Sequence, residues 1–267
     1  MLKIKSAALR HYFFLPLIFL FGCATFYQKN IIFQDYFAKG KMEDANNYLD
    51  KNKKLSKGNG QLLYNLQKGV VLQMMGQYEE SNTFLEQAYF FTEDYRKNFS
   101  LEALSYLTNA TVKPYVGEDH EKVLMHYLKA INYLKINQLD EALVECRRIN
   151  IKLNEHNDRY SSRNNRDDFD TVGHNFLGIV FESTGGVYVW FIAYRNAYEG
   201  YKKTAAFFKV PAPDQLKKDI LRTAYLNGFN DELRIFEIEF SMNYDHQPSE
   251  KGEMVFFLHN GLGTVSY

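Results

Sequence analysis

From Tyr36 onward, apolar and small residues recur every three to four positions, in segments separated by short polar breaks, and little of the chain alternates with the period of a strand. The pattern predicts a succession of amphipathic helices. Breaks fall at Gly40, Gly76, Asn137 and Gly228, and Pro114 and the run Pro211-Ala212-Pro213 mark further boundaries. Asparagine tolerates a left-handed turn nearly as well as glycine, so Asn137 stands in for a glycine break. Two stretches depart from the pattern. Residues 154–170 are polar and lack an apolar period, and are expected to form a surface loop. Residues 254–259 form a continuous apolar run that suits a buried strand, followed by a turn-like Asn260-Gly261-Leu262-Gly263 and a second short segment. A lone hairpin is marginal in water. The expectation is therefore a partner for it: the helical body, another chain, or sequence beyond Tyr267.

Internal repetition organises the helical part. Residues 36–45 align with residues 72–81: an apolar residue (Tyr36, Leu72), a glycine four later, an apolar residue two beyond (Met42, Tyr78), then a small one (Ala45, Ser81). Gly69, Gly76, Tyr78, Ser81, Leu85 and Ala88 together resemble the tetratricopeptide repeat (TPR) signature. In such repeats small residues let two antiparallel helices approach, and larger ones plug the gap to the next repeat. Ala130, Tyr133, Leu139 and Ala142 form a further copy; so do Gly178, Phe181, Gly185, Val187, Tyr194 and Ala197. In the last of these Trp190 occupies a slot that normally holds alanine, so that helix pair is expected to splay or shift register. A degenerate pair runs from 215 to 240 around Gly228. The resemblance implies an all-α, TPR-like α-solenoid of antiparallel helix pairs over residues 23–242; the apolar run at 254–259 predicts residues 243–267 to be a short C-terminal β-hairpin or strand, the start of a shortened β region.

The segment from Glu121 to Leu134, followed by Val144-Glu145-Cys146-Arg147-Arg148, resembles a family of bacterial TPR lipoproteins that has no assigned activity. Ala193-Tyr194-Arg195-Asn196-Ala197 and residues 252–261 resemble the same family, in which the sequence generally continues well past that last segment. Glu145 and Arg148 are three residues apart on one helix face, the spacing of an intrahelical ion pair. Arg147 or Arg148 would otherwise reach across a groove to hold an acidic partner peptide or a neighbouring loop. Tyr127, Tyr133, Glu145, Arg147, Arg148, Tyr194 and Arg195 are thus the candidate partner-binding residues. For the tyrosines, packing between repeats is the competing role.

The N-terminus carries an address. Lys3, Lys5 and Arg10 precede an apolar run from Tyr12 to Phe21 that is broken by Pro16, shorter than the roughly 20 residues a spanning helix needs. It fits the core of an export signal. Leu20-Phe21-Gly22-Cys23 resembles the bacterial lipoprotein box, with Phe21 bulkier than usual. The resemblance implies cleavage after a 1–22 signal peptide, lipidation of Cys23 and a membrane-anchored chain. Ala24 after the cysteine implies the outer membrane, facing the periplasm.

Composition narrows function mainly by exclusion. Removing the three basic signal residues from 32 leaves 29 basic against 32 acidic residues, so there is no basic field to gather nucleic acid. With Cys23 acylated, Cys146 stands alone as a small buried side chain. The 20 tyrosines and 22 phenylalanines, set against five prolines, indicate ordered packing through large aromatic contacts. None of the seven histidines, His126 and His174 among them, pairs at metal-ligand spacing, and no nucleophile elbow or phosphate loop occurs. Asp167-Asp168-Phe169-Asp170 reads as helix N-terminal charge rather than a cation site. The sequence therefore leads to a non-enzymatic scaffold with no cofactor and no metal, binding an envelope protein or peptide in a concave groove. The alternative is an accessory factor handling envelope polysaccharide or lipid.

Overall fold

The computed structural model describes residues 26–97, 115–159, 168–182, 186–208 and 210–246. Among them are ten α-helices, two short 3-10 segments and no strand. The helices are α1 (Phe26–Ala38), α2 (Met42–Lys51), α3 (Gln61–Met74), α4 (Tyr78–Lys97) and α5 (Asp119–Lys135). They continue with α6 (Leu139–Arg159), α7 (Asp168–Glu182), α8 (Val187–Phe208), α9 (Asp214–Leu226) and α10 (Asn230–Phe240). No helix among the described residues is long and apolar enough to cross a membrane.

A common device closes the helix turns. At Gly40, Gly76, Asn137 and Gly228 the backbone is left-handed, with φ between 57° and 77°. In each case the next amide reaches back five residues, as Gln77 N does to Leu72 O at 2.9 Å and Gln138 N to Tyr133 O at 2.8 Å. The left-handed residue itself bonds three residues back, so the last carbonyls of the helix are satisfied. Asn137 accordingly does the work of a glycine, as its place in the repeat predicts. Two residues further on, each second helix carries acids in its first turn: Glu43 and Asp44, Glu79 and Glu80, Asp140 and Glu141, Asp231 and Glu232. Their charge complements the amide end of the helix.

The chain divides into two compact units, Met1–Lys51 and Asn52–Tyr267. In the first, α1 and α2 close over Phe33, Ala45 and Leu49, with the Tyr36 and Tyr48 rings 6.2 Å apart. In the second, helices pack in chain order from α3 to α10, and the leading helices of successive pairs also touch, α3 with α5 and α5 with α7. This nearest-neighbour pattern is that of a solenoid. Its core is relayed along the stack. Leu62, Leu85, Met125 and Leu128 join α3, α4 and α5. Ala142, Cys146 and Ile149 join α6 to Phe176 and Leu177 of α7. Phe191, Tyr198, Ile220 and Phe236 tie α8 to α9 and α10.

Small residues set the closest approaches. A Cβ on Gly69 would sit 2.6 Å from Leu85, and one on Gly178 would fall within the ring of Tyr194. Here the expected splay at Trp190 does not occur: α7 and α8 make the most extensive helix contact among the described residues. The reason is direction. Trp190 packs toward the α9–α10 cluster, and Gly178 opposite Tyr194 supplies the small residue at the crossing.

Two other expectations are corrected. Part of the polar stretch 154–170 is helical: α6 continues to Arg159 and α7 begins at Asp168. The anchor is Leu153, buried beneath the stretch, together with Lys152, which bridges Glu93 of α4 at 2.7 Å and Glu155 at 3.3 Å. Helix α7 thus starts at Asp168. The C-terminal β segment finds no support. Helix α10 ends in another left-handed turn at Ser241, residues 242–246 have no regular structure, and 247–267 lie outside the described residues. Residues 1–25, with the signal segment and Cys23, lie outside them as well.

Candidate functional site

The α4–α5–α6 junction concentrates the polar chemistry of the second unit. Helices α4 and α5 are antiparallel, and polar residues at three-residue spacing on α5 face α4: His126, Lys129 and Asn132. All three are fully buried. Asn132 Nδ2 donates to Ser81 Oγ at 2.9 Å and Asn82 Oδ1 at 2.8 Å, and its Oδ1 accepts from Gln73 Nε2 at 2.7 Å. Ser81 Oγ passes the chain on to Gly69 O at 2.7 Å. Three helices are thereby joined through one amide.

One turn earlier on α5, Lys129 Nζ bonds Glu145 Oε1 of α6 at 2.7 Å and also Glu86 of α4. His126 Nδ1 lies 2.6 Å from the other Glu145 oxygen. Arg148 Nη1 reaches Glu145 Oε1 at 2.9 Å and Glu86 Oε2 at 3.5 Å, and its guanidinium stacks on the Tyr89 ring at 4.4 Å. Burial would raise the Glu145 carboxyl, but the His126 hydrogen bond and the Lys129 charge outweigh it and hold it below its ordinary value. Burial pushes His126 the other way, below its ordinary value, against the pull of Glu145. The imidazole is therefore neutral at pH 7 and donates Nδ1–H to Glu145. Its Nε2 is buried with no partner. Two carboxylates and two cations balance, and the charges are spent on holding α4, α5 and α6 together.

Such a His–Glu pair would suggest acid–base chemistry if a substrate could reach it. Its side chains are 0% and 3% exposed, so it cannot be reached from solvent. The neighbouring Cys146 is not an activated nucleophile: burial, with Glu145 beside it, pushes its thiol up to about 12.

Above this layer lies an open cleft of about 490 Å³ between α4 and the end of α5. Its α4 wall is the stripe Glu79, Asn82, Thr83, Glu86, Gln87 and Phe90; Tyr133, Ile136 and Gln138 form the opposite wall. Asn82 Nδ2 is buried without an acceptor, which ordinarily costs about 1–3 kcal/mol. Phe90 is 55% exposed. Among the described residues, no group of His, Cys, Asp and Glu is arranged to hold a metal.

The structure separates the sequence-derived candidates. Tyr133 lines the cleft, and burial and the carboxylates of Glu145, Glu86 and Glu141 raise its hydroxyl above its ordinary value. Glu145 is buried, and Arg148 forms both the intrahelical pair that the spacing predicts and a bridge to α4. Arg147 points to solvent. Tyr127 packs on Phe176 with ring centres 4.4 Å apart, part of the α5–α7 contact. Tyr194 is buried; its hydroxyl donates to Glu182 at 2.7 Å, and Glu182 in turn binds Arg222 of α9. Arg195 is half-buried, 5.8 Å from the centre of the Phe191 ring. Sequence reasoning missed Glu86, Lys129, Asn82, Asn132 and Gln73. Their signal was the three-residue spacing of His126, Lys129 and Asn132 among the apolar residues of α5.

No protein-family model and no curated protein matches the sequence. Solved structures are similar in fold. BtubC (BKLC) from P. vanneervenii is 9% identical, matched over 87% of each chain with a TM-score of 0.50. A Podosopora anserina putative kinesin light chain with nearly identical TPR-like repeats is 13% identical over 80% of this chain and 96% of that one, with a TM-score of 0.47. Helix pairs closed by left-handed turns, stacked neighbour on neighbour, define the class: a TPR-like α-solenoid.

Proposed function

We propose that this chain is a TPR-type protein–protein interaction scaffold of the cell envelope, without enzymatic activity, that binds a partner protein or peptide. The observation that carries this reading is the division of polar groups at the α4–α6 junction. The groups with catalytic potential, His126 and Glu145, are sealed inside as a bolt between helices. The open cleft beside them is walled by amides, carboxylates and aromatic rings, the mixture that recognises polypeptide. A stacked solenoid presents an extended concave surface of the same kind. A polysaccharide- or lipid-handling site would gather exposed aromatic rings in one cleft, whereas here Phe90 and Tyr133 share the cleft with four amide or carboxylate side chains on α4 alone.

The anchor is part of the proposal and rests on the sequence: the basic start, the apolar run and the Gly22-Cys23 junction. Acyl chains on Cys23 would hold the protein to the outer membrane, facing the periplasm, and two or more such chains suffice for stable attachment. The mass of the N-terminal peptide of the protein from native membranes tests this part. An N-terminal peptide that begins at Cys23 and carries acyl groups is expected, and a Cys23→Ser chain still found with membranes would overturn the anchor. For the scaffold, a photo-crosslinking residue is placed in turn at the exposed positions 87, 144, 147 and 188. Repeated capture of the same protein is expected; no adduct from any position would overturn the reading.

A further inference from the structure

The α4–α5 cleft has a polarity that specifies more than a generic partner. Glu79, Asn82, Thr83, Glu86, Gln87 and Phe90 recur at three- and four-residue spacing and form one stripe along α4. From Glu79 to Phe90 the stripe is about 16 Å long, the span of roughly five extended residues. The helix register orients the opposite wall. Asn132 meets Asn82, Lys129 meets Glu86 and His126 meets Tyr89, so Ile136 and Gln138 lie at the Glu79 end.

Each end then has its own chemistry. At one end are the exposed carboxylate of Glu79 and the apolar side of Ile136. Among the described residues no lysine or arginine lines the cleft. Glu86 in the middle is already neutralised by Lys129 and Arg148. The negative charge left on the α4 wall is therefore that of Glu79, and Glu141 adds a second field near Tyr133. At the other end the exposed Phe90 ring offers an apolar surface. Between them stands Asn82, 93% buried, with its Nδ2 donor lacking an acceptor.

We propose that this cleft binds an extended segment of a partner protein that carries a lysine or arginine at the Glu79 end and an aromatic or aliphatic side chain at the Phe90 end. The cation pairs with Glu79 while its alkyl stem lies on Ile136. This rests on the scaffold reading and adds to it where, and by what chemistry, a partner is held.

The test uses the full chain and a displayed library of random twelve-residue peptides. Selected peptides are expected to carry Lys or Arg three to five residues from Phe, Tyr, Trp or Leu. The tightest is then measured against variants by fluorescence anisotropy. Binding should weaken at least ten-fold with Glu79→Lys and with Phe90→Ser, and fall with rising salt. Glu80→Lys is the control: it makes the same change of charge one residue away, off the cleft wall, and should weaken binding less than three-fold. Thermal melts confirm that the variants fold. Equal loss with Glu80→Lys would reduce the effect to general electrostatics and overturn the site. Peptides that bind but ignore Glu79→Lys and Phe90→Ser, or that are acidic, would overturn the cleft while leaving the scaffold standing. Recovery of no peptide would also overturn the cleft, and the crosslinking result would then decide the scaffold separately.

Discussion

Lys129 Nζ lies 2.7 Å from Glu145 Oε1, and neither side chain is more than 3% exposed. Desolvating both charges is costly, and the cost is met because each has further partners: Glu86 for the lysine, His126 and Arg148 for the carboxylate. Removing one partner leaves the other buried and uncompensated. Lys129→Met should therefore destabilise the protein by about 3–5 kcal/mol, and Lys129→Met with Glu145→Leu should cost less than the two single changes added together. Urea denaturation of the four proteins in this cycle measures the coupling.

The same cluster gives stability a pH dependence. The His126 pKa is lowered on folding, from about 6.5 in the unfolded chain. The unfolded chain thus takes up the proton first. His126 contributes its full share above about pH 6.5 and loses it as pH falls below that value. Between pH 7 and pH 5.5 the parent protein should therefore lose stability more steeply than a His126→Gln chain. Glu145, also lowered, loses its contribution at lower pH, as its carboxyl takes up a proton below about 4.5. Equal pH slopes for the parent and His126→Gln proteins above pH 5 would show that His126 is not held neutral.

Gly178 sits where a side chain has no room, since its Cβ would enter the Tyr194 ring. Gly178→Ala should destabilise the α7–α8 pair by about 1–3 kcal/mol through overpacking. Tyr194→Leu in the same chain should recover part of that loss, whereas Tyr194→Phe, which keeps the ring, should not. Midpoints of chemical denaturation for the three chains give the answer.

At Asn137 the left-handed backbone, φ 57°, sets which residues can replace it. Asn137→Gly should change stability by no more than a few tenths of a kcal/mol. Asn137→Val should cost about 1–2 kcal/mol, because a β-branched side chain clashes with that conformation. A melt in which valine matches glycine would mean that the turn at the α5–α6 junction is not left-handed.

Cys146 is fully buried and its thiol is pushed up to about 12. In a Cys23→Ser chain it should not react with a thiol reagent at pH 8 until the protein unfolds, when the reaction should be complete. Fast labelling of the folded chain would show that α6 opens locally.

The local plan is written in the chain: most of the helical segments, the places where they turn and the positions that must be small. Gly40, Gly76, Asn137 and Gly228 are legible because a left-handed turn admits few residue types, and the apolar spacing of the helices follows from their 3.6-residue period. Local patterns also misled where a distant contact decided the outcome. The polar stretch after Asn154 is helical in part because Leu153 and Lys152 are held by other helices, and Trp190 causes no splay because it packs on the cluster that ties α8 to α9 and α10. The paired Glu145 and Arg148 were visible as neighbours on one helix, but Glu86 and Lys129 lie 43 residues apart in the chain. Only the stacking of α4, α5 and α6 decided that Lys129 and Glu145 would be sealed inside with Glu86 and Arg148 at the rim, and that an acidic and aromatic stripe of α4 would be left open beside them. Burial and charge pairing depend on which helices meet, and no periodicity within a single helix encodes that.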